Sequence, residues 1–243
     1  MQRFSALDRK GRNKLADRLI KALFIDVDDT LLDFNACAKE SMESAFAMRN
    51  AVPPENAFDV FLKHNRMLWK RIEDKTLDLQ GLMKIRWNII FEDLGIGFDG
   101  YEFELDFRTY LAESHVKIEG ADEILEYLSA KYPIYVTSNA PEHQQQNRMG
   151  KAGLSKYITD YFPSGRIGFS KPDIRFFEGC IALVDGIKPE EIMMIGDSLN
   201  ADIKGGKLCG LNTIWFNPEH KPSDPDTIPD YTITSLSELK NIL

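Results

Sequence analysis

Two hydrophobic rhythms divide this chain. Ala22-Leu23-Phe24-Ile25 is an apolar run too short for a helix and is followed at once by Asp26, which predicts a buried parallel strand. From Phe34 to about Ser114 the period changes. Phe61, Leu62, Met67, Leu68 and Trp69, then Leu82, Ile85, Ile89 and Ile90, recur at helical spacing, with breaks at Pro53-Pro54 and over Gly95–Gly100. That stretch predicts several helices and no strand. From Glu119 strands and helices alternate. Helices are expected over Ala121–Lys131, Pro141–Gly150, Asp173–Leu183, Ala201–Cys209 (closed by Gly210) and the tail Ser237–Leu243. Strands are expected at Ile134–Thr137, Glu191–Ile195, Asn212–Phe216 and Tyr231–Ile233, with a strand or turn around Tyr161–Ile167.

This alternation predicts an α/β fold, a doubly wound parallel sheet with an inserted α-helical domain. The expected division is an extension over 1–20, a core from 21–33 and 115–243, and the helical insert over 34–114. In such sheets ligands bind at the carboxyl ends of the strands.

Composition narrows the function classes. The 243 residues are 43% hydrophobic, enough for a core domain and an insert. The net charge of -8 argues against a nucleic-acid polymer as partner, but not against a small phosphate ester, which needs only a local positive site. No run approaches the ~18 apolar residues of a membrane span. The first twenty residues are polar and basic without an apolar stretch, unlike a secretory signal. Cys37, Cys180 and Cys209 are far apart and form no CxxC pair, which predicts reduced thiols in a cytoplasmic protein.

Four expected strand ends carry polar chemistry. Asp26-Val27-Asp28-Asp29-Thr30 follows the first strand. Asp26 and Asp28 are two apart, so extended backbone puts them on one face, and a tight turn can aim both at one ligand. Crowded carboxylates repel unless a cation neutralises them, and oxygen ligands suit Mg²⁺. Ser138-Asn139 follows the second strand and offers a hydroxyl and backbone N–H groups to a phosphate, though both residues are also ordinary helix caps. Lys171-Pro172-Asp173 precedes a helix, where a lysine can neutralise a phosphate oxygen. Gly196-Asp197-Ser198 ends the fourth, with Asp202 five residues beyond Asp197. Asp197 can complete a metal site with Asp26. Asp202 can orient that site from outside, or simply favour the helix dipole. Together these groups supply a nucleophile, an acid/base, a metal site and charge neutralisation, the requirements of phosphoryl transfer through a carboxylate.

The set resembles the haloacid dehalogenase (HAD) superfamily, whose pattern is DxDxT, a Ser or Thr after the second core strand, a Lys before a helix, and GDxxxxD. It stands here as Asp26 to Thr30, Ser138-Asn139, Lys171-Pro172 and Gly196-Asp197 through Asp202, so that the resemblance covers roughly residues 21–243. The helical insert is similar to the superfamily's cap. Asp29-Thr30-Leu31-Leu32-Asp33-Phe34, Met67-Leu68-Trp69, Arg86-Trp87-Asn88 and Ser164 through Pro172 resemble the pyrimidine 5'-nucleotidase branch. Asp29 stands where many relatives have Gly, and Thr137 competes with Ser138 for the second motif; Ser138 is chosen because Asn follows it.

The resemblance implies that Asp26 is the nucleophile and Asp28 the general acid and base. It implies a Mg²⁺ held by Asp26, the Asp28 carbonyl and Asp197, with Thr30 and Asp202 supporting it from outside. Ser138, the Asn139 N–H and Lys171 would hold the phosphoryl oxygens. Asp28 is the residue that the superfamily's dehalogenases lack. The implied activity is a Mg²⁺-dependent phosphomonoesterase acting on a small phosphorylated substrate, a pyrimidine nucleotide by the branch resemblance, as a monomer or homodimer. The alternatives are a phosphatase of phosphoglycolate or sugar phosphates, a phosphoglucomutase-like phosphotransferase, or a retired scaffold that only binds. Arg71, Arg86, Trp69, Trp87, Phe34 and His64 in the insert are read mainly as helix packing, and none is assigned to substrate.

Overall fold

The computed structural model describes residues 19–243, so the extension expected over 1–20 lies, but for Leu19 and Ile20, outside the described residues. The chain divides into two compact units. Among the described residues, one comprises residues 19–32, Lys117–Glu142 and Gly153–Leu243; the other comprises Asp33–Val116 and His143–Ala152.

The first unit is built on six strands: β1 (Ala22–Ile25), β2 (Ile134–Ser138), β3 (Asp160–Pro163), β4 (Ile192–Gly196), β5 (Asn212–Phe216) and β6 (Tyr231–Ile233). They form one sheet in the order β3-β2-β1-β4-β5-β6, parallel throughout. The order runs outward in both directions from β1, the doubly wound α/β arrangement expected of the alternating pattern. β1 is buried along its whole length, which is why it reads as uninterrupted apolar residues. On one face Phe24 meets the edges of Tyr135 and Phe162, and Phe176 and Phe177 join the same core. The helices of this unit are α5 (Ala121–Ser129), α7 (Ser164–Ile167), α8 (Ile174–Ala182) and α9 (Gly205–Leu208).

One expected helix changes form. In place of a single α-helix over 201–209, a π turn at Leu199–Lys204 leads into α9. The amide of Ile203 reaches back five residues to the Ser198 carbonyl. Insertions of this kind occur often at functional sites, and this one carries Asp202. The expected helical tail is a 3₁₀ segment, Leu236–Asn241, capped by Ser235.

The second unit holds α1 (Phe34–Met48), α2 (Ala57–Glu73), α3 (Leu79–Leu94), α4 (Gly100–Glu113) and most of α6 (Glu142–Lys151). Its helix starts follow local sequence. Asp33, Asp78 and Asp99 accept amide protons at the starts of α1, α3 and α4, and Gly95 closes α3 at φ 67°. The core is aromatic: Phe46, Phe61, Trp87, Phe91, Phe103 and Phe107. Arg86 lies inside it, paired through two hydrogen bonds with the fully buried Glu104 and bonded to Asn65, its guanidinium 4.9 Å from the centre of the Phe107 ring. Arg86, Trp87 and His64 are thus interior groups of this unit. No helix among the described residues is long and apolar enough to cross a membrane.

Candidate active site

The carboxyl ends of β1 and β4 lie side by side, because Ile25 is in register with Ile195. Asp26 continues β1 and still donates its amide to the Ile195 carbonyl at 3.0 Å. The chain then turns tightly: the amides of Thr30, Leu31 and Leu32 all point at the Val27 carbonyl, and Asp29 donates to Leu32 at 2.7 Å. Asp29 takes the left-handed conformation, φ 56°, which Asp tolerates better than most side chains and Gly accepts freely. This backbone is one that Asp and Gly can both adopt at position 29.

Lys171 is the centre of the site. It is 2% exposed, and its ammonium donates to Asp26 Oδ1 at 2.6 Å, Asp202 Oδ1 at 2.7 Å and the Thr137 carbonyl at 2.9 Å. Those three bonds use all three ammonium protons. Asn139 sets its backbone: Asn139 Nδ2 donates to the Lys171 carbonyl, and Oδ1 accepts from the Lys171 amide. The Asn139 side chain therefore positions the lysine, a role beyond the phosphate-facing backbone N–H that the sequence suggests. Ser138 is buried with its hydroxyl accepting from the Ala140 amide at 3.1 Å, while Thr137 donates to Met194 Sδ in the core. Strand alternation separates the two, as expected.

Asp197 is gripped by its backbone from two sides. Its amide donates to Thr30 Oγ1 at 3.1 Å, and its carbonyl accepts from the Trp215 indole at 2.8 Å. Thr30 was expected to support the site; Trp215 was not, and in sequence it is only an aromatic in a buried strand. Asp202 uses both oxygens within the protein, Oδ1 on Lys171 and Oδ2 on the Ser198 amide at 3.1 Å. Gly196 makes room for it, since a Cβ there would lie 2.2 Å from Asp202 Oδ2.

Asp26, Asp197 and Asp202 each bring a carboxylate oxygen within 4.8 Å of the others. Burial pushes Asp26 up to about 7, against the pull of Lys171, with Asp202 and Asp28 adding to the rise. Burial also holds Asp197 well above the carboxylate range, reinforced by Asp202, Asp26 and Asp29. Burial works against the charge on Lys171, but Asp202 and Asp26 outweigh it and raise its pKa. Two buried carboxylates on one ammonium, with the partly exposed Asp197 beside them, leave an excess of negative charge on hard oxygen donors, and a divalent cation such as Mg²⁺ fits that set. Asp202, with both oxygens engaged, suits the orienting role better than direct ligation.

The model of the haloacid dehalogenase-like hydrolase family matches residues 20–210, the span that holds Asp26, Lys171, Asp197 and Asp202. The chain belongs to that family. This hydrolase is 35% identical to YfnB of Bacillus subtilis over 224 residues, 92% of this chain and 95% of YfnB. It is 32% identical to the pyrimidine 5'-nucleotidase PynA of Streptococcus pneumoniae over 229 residues, 92% of this chain and 97% of PynA. The crystal structure of YfnB bound to magnesium superposes with a TM-score of 0.89 at 33% identity, covering 93% of this chain and 99% of that one.

Proposed function

We propose that this hydrolase is a Mg²⁺-dependent phosphomonoesterase working through an aspartyl-phosphate on Asp26, and that its substrates are pyrimidine nucleoside 5'-monophosphates. The observation that carries the chemistry is Asp26 at the end of β1, its Oδ1 fixed by the buried Lys171, with Asp28 two residues on. The substrate class rests on likeness to PynA and to YjjG of Escherichia coli, both pyrimidine 5'-nucleotidases.

Asp26 attacks phosphorus in line, and the bond to the ester oxygen breaks. Asp28 gives its proton to that oxygen, so the nucleoside leaves as a neutral alcohol. Asp28 then takes a proton from a water molecule, which attacks the same phosphorus, releases inorganic phosphate and restores the Asp26 carboxylate. Lys171 holds Asp26 in one orientation, and Ser138 and the Asn139 amide stand at the end of β2 to receive phosphoryl oxygens. Asp26, the Asp28 carbonyl and Asp197 would hold Mg²⁺, which when bound supplies positive charge that keeps Asp26 ionised and offsets the phosphoryl oxygens.

The test is phosphate release with and without Mg²⁺ from pyrimidine and purine monophosphates, phosphoglycolate, sugar phosphates and an activated aryl phosphate. A pyrimidine monophosphate is expected to have the highest kcat/KM. A higher value for phosphoglycolate or a sugar phosphate would replace the nucleotidase assignment, and no turnover of even the aryl ester would overturn the phosphatase one. Positioned proton transfer is worth ~10²–10⁴-fold, so Asp28→Asn is expected to slow the nucleotide by at least about 10²-fold. The aryl phosphate, whose leaving group needs little protonation, should lose much less. Equal losses on both substrates would remove the acid role from Asp28.

A further inference from the structure

The loop after β5 brings a cation to the acidic cluster. Gly196 is in register with Trp215, so Asp197, just past β4, and the chain just past β5 are neighbours. Asn217 ties that loop: its Oδ1 accepts from the Lys221 amide at 2.8 Å, and its Nδ2 donates to the Lys221 carbonyl at 3.0 Å. The His220 amide donates to the Asn217 carbonyl, with His220 at φ 54°. Asn217 itself is buried. Lys221, with its backbone fixed in this way, places Nζ 3.7 Å from Asp197 Oδ2 and 3.5 Å from Glu219 Oε2, its side chain half exposed.

We infer that Lys221 is a positioning residue, a tethered cation that occupies the outer side of Asp197 and competes with the metal for it. This rests on the reading of Asp197 as a metal ligand. The charge inventory supports it. Asp197 is crowded by Asp202, Asp26 and Asp29, and Lys221 is the cation that opposes them. Lys171 spends its three protons on Asp26, Asp202 and Thr137. A divalent ion arriving at Asp197 therefore meets a positive charge that must be displaced or endured. Lys221 keeps the metal-free site tolerable and makes the metal exchangeable.

The sign of the effect separates this role from a structural one. Damage to a binding site weakens binding, whereas loss of a competing cation strengthens it. Full-length metal-free protein should be titrated with MgCl₂ by calorimetry, as wild type, Lys221→Met and Lys221→Arg. At a few ångströms in a half-exposed setting the repulsion is moderate, so Lys221→Met is expected to tighten the Mg²⁺ Kd by about 3–10-fold. Lys221→Arg should stay within about 2-fold of wild type, because the charge is kept. The gain should shrink at about 0.5 M KCl, where exposed charges are screened. The thermal midpoint of the metal-free Lys221→Met protein should fall, since Asp197 loses its counter-charge. If wild type binds Mg²⁺ and Lys221→Met binds it equally or more weakly, the competition is refuted and the metal site stands. If wild type shows no Mg²⁺ binding, the metal-site reading fails, and the role of Lys221 with it.

Discussion

Asp26→Asn protein is expected to stay folded and to release phosphate at least about 10⁴-fold more slowly than wild type, since a carboxamide cannot replace the attacking oxygen of covalent catalysis. The fold should survive because the amide is nearly isosteric and Lys171 keeps Asp202 and the Thr137 carbonyl as acceptors. Stability should respond to pH in a way that depends on charge alone. Asp26 is raised to about 7 by burial, with Lys171 opposing. An acid whose pKa is raised by folding costs the folded state stability as it ionises, so the cost builds as pH rises from about 4 to about 7. Asparagine has no such cost. In metal-free protein, Asp26→Asn should therefore gain in thermal midpoint relative to wild type between pH 5 and pH 8. Single-turnover phosphate release and calorimetric scans at both pH values read the two effects. Activity within tenfold of wild type would remove Asp26 from the nucleophile's role, and a variant losing midpoint between pH 5 and pH 8 would contradict the charge argument.

The layout of the sheet was legible because parallel strands buried on both faces read as short apolar runs: β1 and β4 are such runs, and β2 and β5 carry an apolar stretch with polar residues at one end. The acidic residues at their ends were legible for a related reason: Asp26 and Asp197 interrupt apolar sequence at the point where a strand stops. The arrangements that hold these groups were not. Asn139 grips Lys171 across 32 positions, and Trp215 reaches Asp197 across 18 through the pairing of β4 with β5. No local pattern encodes a bond that exists only once two strands are in register. The π turn escaped for a different reason, since Leu199–Lys204 has a normal helical composition and its backbone is set by what Asp202 must reach. In the second unit the aromatics at helical spacing read as packing, and Arg86 at the same spacing is buried with them because Glu104 and Asn65 satisfy it.

Lys171→Met should be the most destabilising single change at the site and should show how the site depends on cations. Methionine fills similar volume, so the change removes charge rather than packing. Asp26 and Asp202 would then be left buried beside Asp197 with their shared counter-ion gone. Stripping one partner from a buried ion pair costs about 3–5 kcal/mol, because the remaining charge is uncompensated. In a chain of this size that corresponds to a fall of roughly 10 °C in the thermal midpoint of the metal-free protein at pH 8. The fall should be smaller at pH 5, where the crowded carboxylates can take up protons instead. Mg²⁺ should return part of it, since a ligand at about a hundred times its Kd contributes about 2.7 kcal/mol to the folded state. Lys171→Arg should not restore activity: a planar guanidinium cannot direct three protons at Asp26, Asp202 and the Thr137 carbonyl as an ammonium does. Midpoints of the two variants and wild type, at both pH values and with and without Mg²⁺, test the whole argument. Wild-type stability for metal-free Lys171→Met at pH 8 would mean that the carboxylates do not depend on Lys171 for their charge, and the electrostatic account of the site would have to be abandoned.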